Sequence, residues 1–166
     1  WLNCAQNFAK ENVGWADPSI MQTYYSAGTM LALVVTALLT RKIKDVRFIL
    51  GYPVICLVTM ITVLVGKSQT LMIAGAFLIG WAGAGGLLQI ATSVCNMLFP
   101  KIKGTVTALV MIASSLCNYT ILTAASKMQP SQVMVMNIVL TAVGVLLGLF
   151  VNLRYTKMVE QAQADN

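Results

Sequence analysis

TLMIAGAFLIGWAGAGGLLQIATSVCNMLF, from Thr70 to Phe99, runs for 30 residues without a charged side chain. Crossing a hydrocarbon core of about 30 Å takes roughly 20 mostly apolar residues in a helix. This stretch is therefore expected to cross a membrane as a helix. Four more uncharged runs flank it, at about Ile20 to Thr40, Phe48 to Gly66, Thr105 to Ser126 and Val133 to Asn152. The connectors between them are short and hold nearly all the charge.

The expected fold class is all-α, a polytopic membrane helical bundle over residues 1–157 with five complete transmembrane helices plus the end of a sixth. Residues 158–166 read as a cytoplasmic tail, of which Glu160 to Asn166 is short, polar and expected to be mobile. Asp17, Pro18 and Ser19 suit the start of the first complete span, since Asp caps free amides and Pro fits the first helical turn. Trp1 to Ala9 reads as the last turns of a helix whose beginning is missing. With Trp1 rather than Met in first place, the chain is expected to be a piece of something longer.

Composition agrees. Of 166 residues, 58% are hydrophobic and 10% charged, with no histidine. An ordinary soluble domain carries about 25% charged residues. A soluble globular enzyme is excluded, and an enzyme is not expected at all, because the carboxylates are only Glu11, Asp17, Asp45, Glu160 and Asp165. That set lacks the material for acid–base catalysis or hard-metal sites, and no cofactor or metal is expected. Cys4, Cys56, Cys95 and Cys117 show no C-x-x-C spacing and read as free thiols.

The net charge is +6. Arg41, Lys42, Lys44, Arg47, Lys101, Lys103, Arg154 and Lys157 fall on one side of the expected topology, and Lys10, Lys67 and Lys127 on the other. Cytoplasmic connectors hold the excess of Lys and Arg, so the carboxyl terminus is expected to be cytoplasmic. Positive residues placed as topology signals do not make a nucleic-acid surface, and no nucleic-acid partner is expected.

Inside the spans, polar residues recurring at 3 and 4 mark a face turned to protein or water. Gln22, Ser26, Thr29, Thr36 and Thr40 make such a stripe in the first span, with Tyr25 beside it. Ala82, Gly86, Gln89, Ser93 and Asn96 make one in the third, and Thr107, Ser114 and Asn118 in the fourth. Ser and Thr can equally tighten helix contacts by bonding carbonyls one turn back. Gln89, Asn96 and Asn118 carry amide donors and acceptors that need partners, and a solute pathway is as good a reading for them as packing. Tyr24 reads as an interfacial anchor and Tyr25 as a ring that can line a cavity. Gly83 and Gly86 in the third span, and Gly144 and Gly148 in the last, read as helix packing positions. Gly83-Ala84-Gly85-Gly86 precedes no Lys-Ser or Lys-Thr, so it is no phosphate loop.

Two loops carry a resemblance. Leu39-Thr40-Arg41-Lys42-Ile43-Lys44-Asp45-Val46-Arg47 resembles a degenerate form of the basic loop of the major facilitator superfamily. Gly83 to Gln89, then Phe99-Pro100-Lys101-Ile102-Lys103-Gly104-Thr105, resembles that family's glycine-rich tenth helix, its Phe-Pro exit and the Lys-Gly loop into the eleventh. On that register the spans are similar to helices eight to twelve, with Trp1 to Ala9 the end of helix seven. The resemblance implies alternating access by two six-helix halves around a midplane site.

It also implies roles. Gln89 and Asn118 would bond a small polar organic solute, Tyr25 would pack against it, and Ser93, Asn96 and Gln22 would line the same cavity. Asn3 and Gln6 would contribute from the truncated helix, and Arg41, Lys42, Asp45 and Arg47 would latch the cytoplasmic side. The implied partners are the solute, the lipid bilayer and a missing amino-terminal half of the same polypeptide, with the plasma membrane as the expected location. The implied activity is secondary active or facilitative transport. A stand-alone membrane scaffold or assembly subunit without transport activity is the alternative.

Overall fold

The computed structural model describes residues 1–39 and 45–164, with the side chains of residues 39, 45, 46, 156 and 158–164 left aside. In chain order the elements are α1 (Leu2–Asn12), α2 (Ile20–Leu39), α3 (Asp45–Gly66), α4 (Gln69–Ile79), a π-helical segment (Gly80–Leu87), α5 (Leu88–Leu98), a 3-10 turn (Pro100–Ile102), α6 (Lys103–Ala125) and α7 (Pro130–Ala164). Among the described residues there is no strand, and the protein is an all-α polytopic bundle.

Among the described residues, four helical stretches are long and apolar enough to cross a membrane: Arg47–Gly66, Gln69–Leu98, Pro100–Ala125 and Pro130–Tyr155. Four of the five expected crossings are among them, and α2 is the fifth. α2 has the length, with 20 residues, but Gln22, Thr23, Tyr24, Tyr25 and Ser26 fill its first half and lower its hydropathy. α7 continues as helix to Ala164.

Short connectors make successive helices antiparallel. The starts of α2, α4 and α7 therefore share one end with α1, called here the upper end. Arg47, Lys101, Lys103, Arg154 and Lys157 gather at the lower end, where Arg154 lies over the Phe150 ring at 5.5 Å. At the upper end the Asp17 carboxylate accepts the Ser19 amide at 3.0 Å, and the Ser19 hydroxyl and amide hold its pKa below the ordinary value. This is the local reason α2 starts where it does, because an Asp oxygen satisfies an amide that the first turn leaves free.

Two apolar clusters fill the bundle. The upper one joins Ala5 and Phe8 of α1 to Met21, Val63, Met72 and Met134. The lower one joins Tyr52 and Cys56 of α3 to Ala82, Ile90 and Val94. Between them α2 crosses the long span almost backbone to backbone. A Cβ on Gly28 would run into the Phe77 carbonyl, and one on Gly80 into the Tyr25 carbonyl. A Cβ on Gly85 would stand 2.7 Å from the Thr29 carbonyl oxygen. Glycine allows this approach because it removes the side chain that would hold the helices apart.

The π segment lies at that crossing. π-helix is normally confined to single turns, whereas here it runs for 8 residues rich in Gly and Ala. The Thr29 hydroxyl stands 3.2 Å from the Gly80 carbonyl and 3.0 Å from the Tyr25 carbonyl, so it serves an oxygen on each helix. Below it, Tyr52 Oη and Thr36 Oγ1 share a buried hydrogen bond of 2.7 Å, and the Tyr52 ring fills the space left by the bare Cα of Gly86. About a quarter-turn round α3 from Tyr52, Pro53 has no N–H, which leaves the Ile49 carbonyl without its helical donor. Gly148 of α7 settles there, where a Cβ would stand 2.7 Å from that oxygen.

Candidate functional site

α6 is packed unlike any other crossing helix. Its crossing window buries nothing inside the bundle, and its neighbour is α5. Leu109, Ile112 and Leu116 are open on one side of α6, and Asn118 is open on the other. The helical turn of about 100° per residue brings Thr107, Ser114 and Asn118 onto one face. It also puts Gln89 and Asn96 on one face of α5.

The two faces meet at their lower end. Asn96 Nδ2 donates to Thr107 Oγ1 at 3.1 Å, and the Thr107 hydroxyl lies 3.2 Å from Asn96 Oδ1. From this tie the stripes rise side by side. Gln89 stands about 10 Å above Asn96, and Asn118 about 16 Å above Thr107, at 1.5 Å per residue. Both primary amides are exposed, Ser93 and Ser114 are half-buried beneath them, and their levels differ by only about 6 Å. The two stripes are thus joined below by one hydrogen-bonded pair, with both primary amides open above it.

None of Gln89, Ser93, Asn96, Thr107, Ser114 and Asn118 is ionisable near neutral pH. The stripes offer amide and hydroxyl donors and acceptors without a fixed charge, which is the chemistry of hydroxyl and amide recognition. An exposed amide within an apolar span is costly against lipid. Water, a solute or protein has to cover this face.

The other residues singled out from sequence lie elsewhere. Tyr25 is half-buried against the upper cluster, Gln22 is exposed near the start of α2, and on α1 Asn3 is exposed and Gln6 half-buried. α1 packs on α7, α2 and α4, away from α6. The structure therefore places Gln89, Ser93 and Asn96 along α5 and Asn118 on α6, joined through the Asn96–Thr107 pair, and leaves Tyr25, Gln22, Asn3 and Gln6 at the upper end. Arg47 is exposed in the first turns of α3, whereas Arg41, Lys42 and the Asp45 side chain lie outside the described residues. Of the four glycines, Gly86 and Gly148 sit at close approaches, Gly83 is in ordinary contact with Cys56 Sγ at 3.5 Å, and Gly144 faces open space.

Sequence reading passed over the Thr36–Tyr52 bond and the polar positions of α7. The second had a signal: Asn137, Thr141, Gly144 and Gly148 repeat at 4, 3 and 4, the spacing that marked the other stripes.

Comparison with known proteins gives three relatives. The chain is 31% identical over 137 residues to the inner membrane transport protein YdiM of Escherichia coli (strain K12), covering 80% of this chain and 34% of that one. It is 36% identical over 121 residues to an uncharacterised MFS-type transporter, YfkL of Bacillus subtilis (strain 168), covering 71% and 30%. It is 30% identical over 117 residues to the inner membrane transport protein YdiN of Escherichia coli (strain K12), covering 69% and 28%. Each match thus spans about a third of the relative's length. No family model matches the chain, and no solved structure matches it.

Proposed function

The chain belongs to the major facilitator superfamily, and from that premise we propose that it forms the carboxyl-terminal half of an alternating-access transporter for a small, uncharged polar organic solute. The α5–α6 cleft is one wall of the pathway. What carries this reading is the Asn96–Thr107 tie, which sets the register that puts Gln89 and Asn118 at neighbouring depths on facing stripes. A solute with several hydroxyl or amide groups replaces the water that these amides otherwise bind. Rocking of the two halves then exposes the cleft to one side of the membrane and then the other.

In this reading residues 1–157 are the bundle, residues 158–166 a tail, and the lower end faces the cytoplasm with its excess of Lys and Arg. The basic segment from Arg41 to Arg47 latches that side. Coupling to an ion belongs to a part of the polypeptide outside these residues, because no described span carries a Lys, Arg, Asp or Glu in its apolar interior.

The test is uptake by the full-length protein across a panel of sugars and nucleosides, with and without a proton ionophore. Gln89→Ala should cut uptake of the transported solute by about tenfold, the scale of one lost hydrogen bond to a buried polar group. Membrane insertion should be unchanged. Uptake kinetics identical to the natural protein would remove Gln89 from the pathway.

A further inference from the structure

Behind the α5 stripe lies a concavity. Its volume is about 500 Å³, and Pro53 and Met60 of α3, Gly83 of the π segment, Ala91 of α5, and Asn137 and Gly144 of α7 are among the residues that wall it. Ala91 is two residues from Gln89 and from Ser93, so it points about 160° away from both. On α5 the cavity thus lies away from Gln89 and Ser93, while Ile121 of α6, on the face that carries Ser114 and Asn118, closes it on that side.

Three observations give it the form of a binding site. A Cβ on Gly144 would meet nothing within 4 Å, so the absent side chain leaves room that no neighbouring helix fills. The wall is apolar along α3 from Ile49 to Met60, a length of about 16 Å. Near one end, Asn137 Nδ2 is buried without a hydrogen-bond partner, while the neighbouring Thr141 hydroxyl is engaged with the Asn137 carbonyl at 2.8 Å and Met60 Sδ at 3.6 Å. A buried amide donor without a partner is costly, and a ligand oxygen would relieve that cost.

We infer that this cavity binds one long-chain, single-tailed amphiphile dissolved in the membrane, with its chain along α3 and an uncharged head oxygen accepting from Asn137 Nδ2. An extended chain of roughly a dozen carbons, at C–C bonds of about 1.5 Å, matches the length. Depth selects the head group. Asn137 lies about 8 Å from the middle of the Pro130–Tyr155 crossing, well inside a hydrocarbon half-thickness of about 15 Å. The head of a diacyl phospholipid stays at the interface, and an ionised head is costly at that depth. An alcohol or other neutral head can sink to it.

The full-length protein in nanodiscs is irradiated with a long-chain alcohol carrying a diazirine in its tail, or with a phosphatidylcholine carrying the same diazirine, and the labelled peptides are mapped. The alcohol should label the α3 and α7 segments that wall the cavity, and the phospholipid should not favour them. Gly144→Leu, which fills the open space, should abolish that labelling, and Asn137→Leu should lower it about fivefold. Val143→Leu, on the exposed face of α7, should leave it unchanged. Each variant is scored only if it elutes as a single species, and the two independent substitutions keep the test valid if one of them fails to fold. Labelling spread evenly over the lipid-facing helices, labelling insensitive to both cavity substitutions, or preferential labelling by the phospholipid would each overturn the inference.

Discussion

The π segment and α5 are consecutive parts of one membrane span, yet they meet their neighbours in opposite ways. Along the π segment, Gly80, Gly85 and Gly86 bring the backbone against α2 and against Tyr52, and nothing larger fits. Nearly three turns after Gly86, α5 meets α6 through Asn96 and Thr107 and leaves Gln89 open above them. Close glycine packing has one arrangement, because any shift meets backbone atoms. A helix that buries so little of its crossing window, as α6 does, has others within reach. On the proposed reading, the glycine-packed part of the span is the fixed scaffold and α5 the part that meets a solute or moves.

Glycine substitution breaks this contrast most severely. Gly28→Leu or Gly80→Leu drives a side chain into a carbonyl of the facing helix, and overpacking of this kind costs about 1–3 kcal/mol or more. We expect both variants to lose most of the folded protein recovered from membranes, measured by monodisperse yield in detergent. Gly104→Leu, with no atom within 4 Å of its Cβ, should be recovered normally. Equal recovery of all three would mean that the α2 crossing is not fixed.

Removing one hydrogen bond from each region has a smaller effect and sharpens the difference. Tyr52→Phe deletes the buried link to Thr36, and Asn96→Ala deletes the tie to Thr107. Interhelical bonds of this sort contribute on average about 0.6 kcal/mol in membranes, so the two variants should show similar small losses of thermal stability. Only Asn96→Ala should also raise hydrogen exchange in the lower turns of α6, because α5 is the helix that those turns pack on. Matching exchange in the two variants would place the looseness elsewhere.

Much of the bundle was legible in the sequence because lipid imposes one simple rule, that a long uncharged run has to be a helix. The runs, the short charged connectors and the stripes of α5 and α6 follow from it. The stripe on α2 was read with the same rule and led to Tyr25 and Gln22, which the fold keeps at the upper end. A stripe marks a face turned from lipid, and it does not say which helix that face meets. The π segment was not legible, since eight residues of Gly, Ala, Trp and Leu satisfy a wide helical turn and an ordinary one alike. Gly144 and Gly148 form one motif in sequence and play two parts in the fold. Pro53 frees the carbonyl that Gly148 meets, whereas Gly144 faces empty space.

The most direct test of the α5–α6 cleft is water accessibility on the two sides of α6. In the full-length protein with Cys4, Cys56, Cys95 and Cys117 replaced by alanine, Asn118→Cys and Leu116→Cys are treated with a membrane-impermeant maleimide from each side of the bilayer. The cleft predicts that position 118 reacts from water and that position 116, on the face turned to lipid, does not. Equal reactivity at the two positions, or none at 118 from either side, would contradict it.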